Sequence, residues 1–131
     1  MRPRLTSKET AFLARARVCR VGSVDRAGVV HVAPLCHAFD RERRIAYVAS
    51  GGVTAENLRE RRRASLECDD YFEDWDRLRG LVAHVRAKVV DRGAELDRAR
   101  RLLKRKFAQY RETEFDSVIA LHVEAVTSWG L

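Results

Sequence analysis

Two periods of apolar residues run along this chain, and the positions where one gives way to the other mark the elements. Thr6-Ser7-Lys8-Glu9 sets a hydroxyl three residues ahead of a carboxylate, the pattern of a capping box, and Phe12-Leu13-Ala14 continue a short helix to about Arg17. A strand over 18–24, the tight turn Asp25-Arg26-Ala27-Gly28 and a second strand over 29–39 predict a hairpin. A polar turn leads to a third strand over 45–50. Gly51-Gly52 then breaks the pattern, and Thr54 can cap a helix running through Asn57, Leu58 and Arg62. Further strands are predicted over 64–69 and 81–90, the latter with Ala83, Val85, Ala87 and Val89 inward and His84, Arg86 and Lys88 outward. Over 94–110, Leu96, Ala99, Leu102, Leu103, Phe107 and Tyr110 recur at helical spacing. In the last strand, 118–127, Ile119, Leu121, Val123 and Ala125 alternate with His122 and Glu124.

Six strands and few helices predict a mainly β fold, a six-stranded antiparallel barrel with flanking helices. The second strand is unusual within it. Val29, His31, Ala33, Leu35, His37 and Phe39 share one side, and Val30, Val32, Pro34, Cys36 and Ala38 the other. Both sides are largely apolar, so neither simply meets water. One side fills the barrel, and the other must meet a helix, a ligand or another subunit. Pro34 has no amide hydrogen to donate, so the strand lies at an edge or is interrupted there. Backbone released from pairing can hydrogen-bond a flat heterocycle.

Composition narrows the classes. A chain of 131 residues, 46% hydrophobic and 34% charged, fits one globular domain spanning 1–131. No apolar run approaches the roughly 18–20 residues that cross a bilayer, and the basic start lacks an apolar signal core, so a cytoplasmic protein without a membrane partner is expected. Cys19, Cys36 and Cys68 are odd in number and widely spaced, as expected of reduced thiols rather than a disulfide framework or zinc site. The net charge of +7 invites an anionic partner. Nucleic acid is not expected, because the arginine-rich helices lack interleaved aromatics.

Motifs for chemistry are sparse. Gly-x-Ser-x-Gly, P-loop and Gly-x-Gly-x-x-Gly patterns are absent. His31 and His37 share a strand side but sit about 20 Å apart along it, too far to hold one ion. Any single histidine could still serve as an axial haem ligand. Asp69, Asp70, Glu73, Asp74 and Asp76 surround Tyr71, Phe72 and Trp75, read as a loop that pairs with arginines. Trp75 could cover a ring bound at the barrel mouth. The Gly51-Gly52 bend remains as a phosphate site, with free amides at a helix start and hydroxyls from Ser50 and Thr54.

Several segments carry a resemblance: Val18-Cys19-Arg20-Val21-Gly22-Ser23-Val24-Asp25, Gly28-Val29-Val30-His31-Val32-Ala33-Pro34-Leu35, Asn57-Leu58-Arg59, Ser65-Leu66-Glu67-Cys68-Asp69-Asp70-Tyr71, Asp74-Trp75 with Leu78-Arg79-Gly80, and Thr127-Ser128-Trp129-Gly130. Together they resemble the pyridoxamine-phosphate-oxidase-like flavin/deazaflavin split barrels, closest to the actinobacterial branch that uses coenzyme F420. The resemblance implies a homodimer with the cofactor between two barrels. It implies coenzyme F420, or FMN, with the ring along Val32, Ala33, Pro34 and Leu35. The phosphate would lie near Ser50, Thr54, Asn57 and Arg59, with Trp75 and Arg79 also binding cofactor. The activity implied is hydride transfer to or from a small organic substrate, with no catalytic acid or base identified and no metal. The arginine surplus would offer counter-charge to a polyanionic cofactor tail.

One departure changes the picture. Where family members carry Lys-x-Arg/Lys-Asn-Leu, this chain has Thr54-Ala55-Glu56-Asn57-Leu58. Attraction for phosphate is replaced by a carboxylate, a change of about 1 kcal/mol at 4 Å in water and more in a dry site. The alternatives are compensation by Arg59, Arg62 or a partner-chain arginine, a cofactor that sits differently, a haem-binding protein, or one that has lost its cofactor.

Overall fold

The alternation read from the sequence sorts side chains to the two sides of six strands. In a computed structural model, which describes residues 1–49 and 51–131, those strands are β1 (Val18–Val24), β2 (Val30–Asp40), β3 (Ile45–Val48), β4 (Arg63–Asp70), β5 (Arg79–Val90) and β6 (Val118–Trp129). They are antiparallel and close in the order β1-β2-β3-β6-β5-β4. Three helices flank them: α1 (Ser7–Arg15), α2 (Gly52–Glu60) and α3 (Gly93–Lys106). The expected mainly β antiparallel barrel of six strands is thus the observed fold. No described helix is long and apolar enough to cross a membrane.

Two apolar clusters hold it together. The first fills the barrel with Cys19, Val21, Leu66, Leu81, Ala83, Val85, Ile119 and Leu121, and takes Phe12 and Leu13 from α1 and Ala55 and Leu58 from α2. The second lies outside the barrel, where Leu96, Ala99, Leu103 and Phe107 cover Ala38, Tyr47, Val118 and Ala120. The helical stripe expected over 94–110 is this contact, but the α-helix stops at Lys106. Phe107 turns extended (φ −121°, ψ 116°), and a 3-10 turn, Ala108–Arg111, carries the chain on. The stop lets Phe107 stay buried while Lys106 donates to the carbonyls of Ala16 and His37, tying the helix end to the barrel.

The capping box of α1 forms as expected: the Glu9 amide donates to Thr6 Oγ1, and the Glu9 carboxylate accepts from the Thr6 amide. That buried carboxylate also accepts from Arg2 and from Ser128 Oγ, joining the N-terminus to the end of β6. Burial opposes its charge, but these hydrogen bonds prevail and hold the Glu9 pKa down at about 2.

The clean alternation expected in β6 is interrupted. His84 pairs with Ala125 while Val85 pairs with Val123, so Glu124 is an extra residue. The bulge reverses the parity: Val126 is buried in the barrel in place of Ala125. All three cysteines are free, and burial pushes the Cys19 thiol up to about 12. Among the described residues, no group of three metal-ligating side chains could hold an ion.

Three outcomes follow from this packing. A Cβ on Gly80 would lie 2.3 Å from the Trp129 ring and 2.8 Å from the Cys68 carbonyl. Gly80→Ala should therefore cost about 2 kcal/mol, read as a fall in denaturation midpoint. Buried His37 donates from Nε2 to the Leu13 carbonyl at 2.7 Å, and burial lowers its pKa from 6.5 to about 4. Below pH 6.5 the unfolded chain takes a proton that the folded chain refuses until about pH 4, so stability should decline by roughly 1–3 kcal/mol across that window. His37→Gln should flatten the decline. Glu9 acts in a lower window: its contribution is full above 4.5 and disappears as pH falls through about 2, and Glu9→Gln should remove it.

Candidate functional site

The candidate site begins with incomplete pairing of β2. Its first seven residues face β1, from Val30 opposite Val24 to Cys36 opposite Val18, but β3 pairs only with His37 to Asp40. Residues 30–36 therefore have a strand on one side only, among the described residues. Hydrogen bonds from His37 N to Arg17 O and from Asp25 N to Val29 O fix which groups face inward along the sheet. Odd-numbered residues of β2 bond β1, and even-numbered ones point their backbone groups to the open edge. Pro34 is opposite Arg20 in a non-hydrogen-bonded pair, so its missing amide hydrogen costs the β1 ladder nothing. The edge expected from Pro34 is present, and the strand runs through it without interruption.

The two sides of the strand also separate. Ala33 and Leu35 lean into the barrel and are partly buried. On the outer side, α3 covers Ala38 and reaches Cys36, then stops. Val30 (67% exposed), Val32 (62%) and Pro34 remain bare, next to Val18 on β1. A row of β-branched residues and proline in water is the unpartnered apolar patch that the sequence called for. Glu67 of β4 lies opposite Arg20 of β1, with Asp69 also on the Arg20 guanidinium. Burial and Asp69 raise the Glu67 pKa against the pull of Arg20.

Helix α2 closes the end of the barrel nearest the hairpin turn. Asn57 is buried and donates from Nδ2 to Ser23 Oγ at 3.1 Å, and Ser23 pairs with His31 of β2. Thr54 is 3% exposed, with its side chain turned into the protein. Glu56 and Arg59 face solvent. Ser50 lies outside the described residues. Thus the first two turns of α2 present no exposed cation. Beside them, Asp25, Glu56 and Glu60 outnumber Arg26, which is already paired with Glu60.

Trp75 and Arg79 occupy the opposite end. Trp75 starts the 3-10 turn between β4 and β5, is 72% exposed, and holds only the Tyr71 hydroxyl through its indole N–H. Arg79 donates to Asp70 at 2.7 Å and lies over the rings of Phe72 and Phe12. Arg79 pairs with Asp70, whereas Ser65 is level with Gly22 near α2. Five residues of strand, about 17 Å, separate the two levels. One chain therefore leaves Trp75 and Arg79 at the end of the barrel away from Asn57, with Val32, Ala33, Pro34 and Leu35 along the strand between those levels. A cation-rich cleft, formed by Arg62, Arg86, Lys88 and His122, has no signature in the sequence because its residues come from three separate segments.

No curated protein matches the chain. Solved structures match its fold along nearly its full length. A conserved hypothetical protein of Mycobacterium tuberculosis is similar at a TM-score of 0.79 and 18% identity, over 96% of this chain and 85% of that one. A FAD-binding protein of Mesorhizobium loti is similar at 0.73 and 20%, over 95% and 94% of the two chains. HutZ, the haem storage protein of Vibrio cholerae, is similar at 0.72 and 16%, over 98% and 94%. At such identities these likenesses speak for the fold alone. A sequence model of the pyridoxamine 5'-phosphate oxidase family matches residues 5–130, and on that match, laid over this six-stranded barrel, the chain belongs to the pyridoxamine 5'-phosphate oxidase family.

Proposed function

We propose that this protein is a cytoplasmic oxidoreductase that binds a flavin or deazaflavin along the open edge of β2, between two copies of the chain. The observation that carries the reading is the outward backbone of residues 30–36 beside a bare apolar face. A flat heterocycle with polar edges has its faces matched by Val32 and Pro34 and its edge matched by outward amides and carbonyls. A second copy accounts for the exposed valines and supplies what one chain separates. Its Trp75 and Arg79 could then approach the ring from the other barrel.

The fit to the cofactor is uneven. The ring finds apolar contact and backbone partners. The phosphate finds only amides at the start of α2, with Thr54 buried and Glu56 exposed. This favours a cofactor whose anionic groups are met from elsewhere, by Arg59 or by a partner-chain arginine. Coenzyme F420 is the first choice and FMN the second. The bound group would supply hydride chemistry to a small organic substrate. The chain's own residues would orient the ring, exclude water along β2 and carry counter-charge.

A haem-binding role is the second reading. It is favoured by the missing cation at the start of α2 and by the haem storage protein among proteins of like fold.

The tests are optical and hydrodynamic. Coenzyme F420 or FMN added to purified protein should lose fluorescence or shift its absorption in a saturable way. A Soret band with haem, and no response to either flavin, would favour the second reading. Glu56→Lys replaces an exposed carboxylate with a cation and should tighten binding about tenfold. Thr54→Lys would have to expel a buried side chain, so its binding effect should be read against a loss of stability. Val32→Asp places a charge at a site 62% exposed in one chain. It should leave the melting of an isolated barrel nearly unchanged but dissociate a homodimer in light scattering and abolish cofactor binding. A Val32→Asp protein that stays dimeric and still binds would sink the reading.

A further inference from the structure

On the far side of the barrel from the β2 edge, the outer faces of β3, β6 and β5 meet the start of α3 in a cleft of about 280 Å³. Its floor is apolar: on the outer face Ala120 is buried and Ile45 half-buried, and β5 contributes its backbone at Ala87, whose side chain points into the barrel. His122 stands at its centre, opposite Ile45 on β3 and Arg86 on β5. Arg62 enters from the end of the α2–β4 connection, and Lys88 lies one row along β5.

The charges here are out of balance. Facing the cleft and its rim are Arg44 from the β2–β3 turn, Arg62 and Arg63 before and on β4, and Arg86 and Lys88 on β5. Two carboxylates oppose these five cations, and both are already shared. Glu95 of α3 accepts from Lys88 at 2.8 Å and from the Tyr47 hydroxyl at 3.2 Å. Glu124 of β6 lies 3.5 Å from Arg86 and 3.6 Å from Arg63. Arg63 and Arg86 oppose each other across the β4–β5 ladder, a like-charge pair that weakens a sheet unless anions intervene. The Arg62 guanidinium has no acceptor among the described residues.

His122 fits the same account. Arg86 Nη2 donates to His122 Nδ1 at 3.4 Å, which leaves the ring proton on Nε2. Burial, Arg44 and Arg86 lower the imidazole pKa, opposed by Glu124. A neutral imidazole thus presents an N–H donor among cations, over an apolar floor. We propose that this cleft is a binding site for a compact organic carboxylate, its acid group taken by Arg62 and the His122 ring and its apolar body resting on Ile45 and Ala120. The volume of about 280 Å³ suits one small ring or branched acid. The site is separate from the β2 edge and does not rest on the cofactor reading.

The test uses the full chain, isotope-labelled, with benzoate as probe and the His122 imidazole resonance as readout, identified by its loss in His122→Gln. An anion beside the ring favours the imidazolium. Benzoate at millimolar concentration should therefore raise the His122 titration midpoint saturably, reversing the lowering caused by burial, Arg44 and Arg86. Arg62→Ala, at an exposed position, should weaken the apparent affinity about tenfold while leaving the other histidines unmoved. Inorganic phosphate at the same concentration should shift the resonance less, because it gains nothing from the floor. The absence of a saturable shift, an unchanged response in Arg62→Ala, or an equal response to phosphate would each overturn the proposal.

Discussion

The incomplete pairing of β2 is the constraint from which the rest of the candidate site follows. Eleven residues of strand run from Val30 to Asp40, the first seven paired with β1 alone and the last four with β3 alone. The far half is sealed, with β3 beside it and α3 above. The near half keeps one ladder and exposes the other edge. The parity of the β1–β2 ladder directs the Pro34 nitrogen to that open edge, where no strand asks for a hydrogen. A proline on the other parity would remove a ladder bond, and pairing on both sides would leave no edge for a ligand.

Both ends of the barrel are shut by local devices that depend on this arrangement. At one end α1 inserts Phe12 and Leu13, with Glu9 binding Thr6, Arg2 and Ser128. At the other, α2 inserts Ala55 and Leu58 and anchors Asn57 to Ser23. Because α2 must fill the barrel, its Thr54 faces inward and its Glu56 outward. The residues that break the family's phosphate pattern therefore have different consequences. Thr54 satisfies packing, whereas Glu56 changes the charge that an approaching anion meets.

Charge is arranged in the same two-sided way. Cations from the outer face of β5, the β2–β3 turn and the segment before β4 converge because the barrel curves, not because they are close in sequence. The bulge at Glu124 is part of this. It moves Val126 into the core and puts one carboxylate between Arg63 and Arg86. The excess positive charge that remains there distinguishes this cleft from the surroundings of α2, where Asp25, Glu56 and Glu60 balance Arg26, Arg59 and Arg61.

What the residues determined alone was local and periodic. The capping box of α1, the β1–β2 hairpin, the apolar stripe of α3 and the inward set of β5 all follow from the backbone period and nearest-neighbour chemistry, and the two-sided apolar character of β2 was legible for the same reason. Periodicity cannot say where a helix ends over a neighbouring sheet, so only the folded chain decided that α3 covers Ala38 and leaves Val30 and Val32 bare. Register decided the inward turn of Val126, because one extra residue reverses every later side chain. Packing around α2 decided the burial of Thr54. Strand length decided that Trp75 and Arg79 stand about 17 Å from the level of α2. These are contacts between residues distant in sequence, set by closing a barrel, and no local pattern carries them.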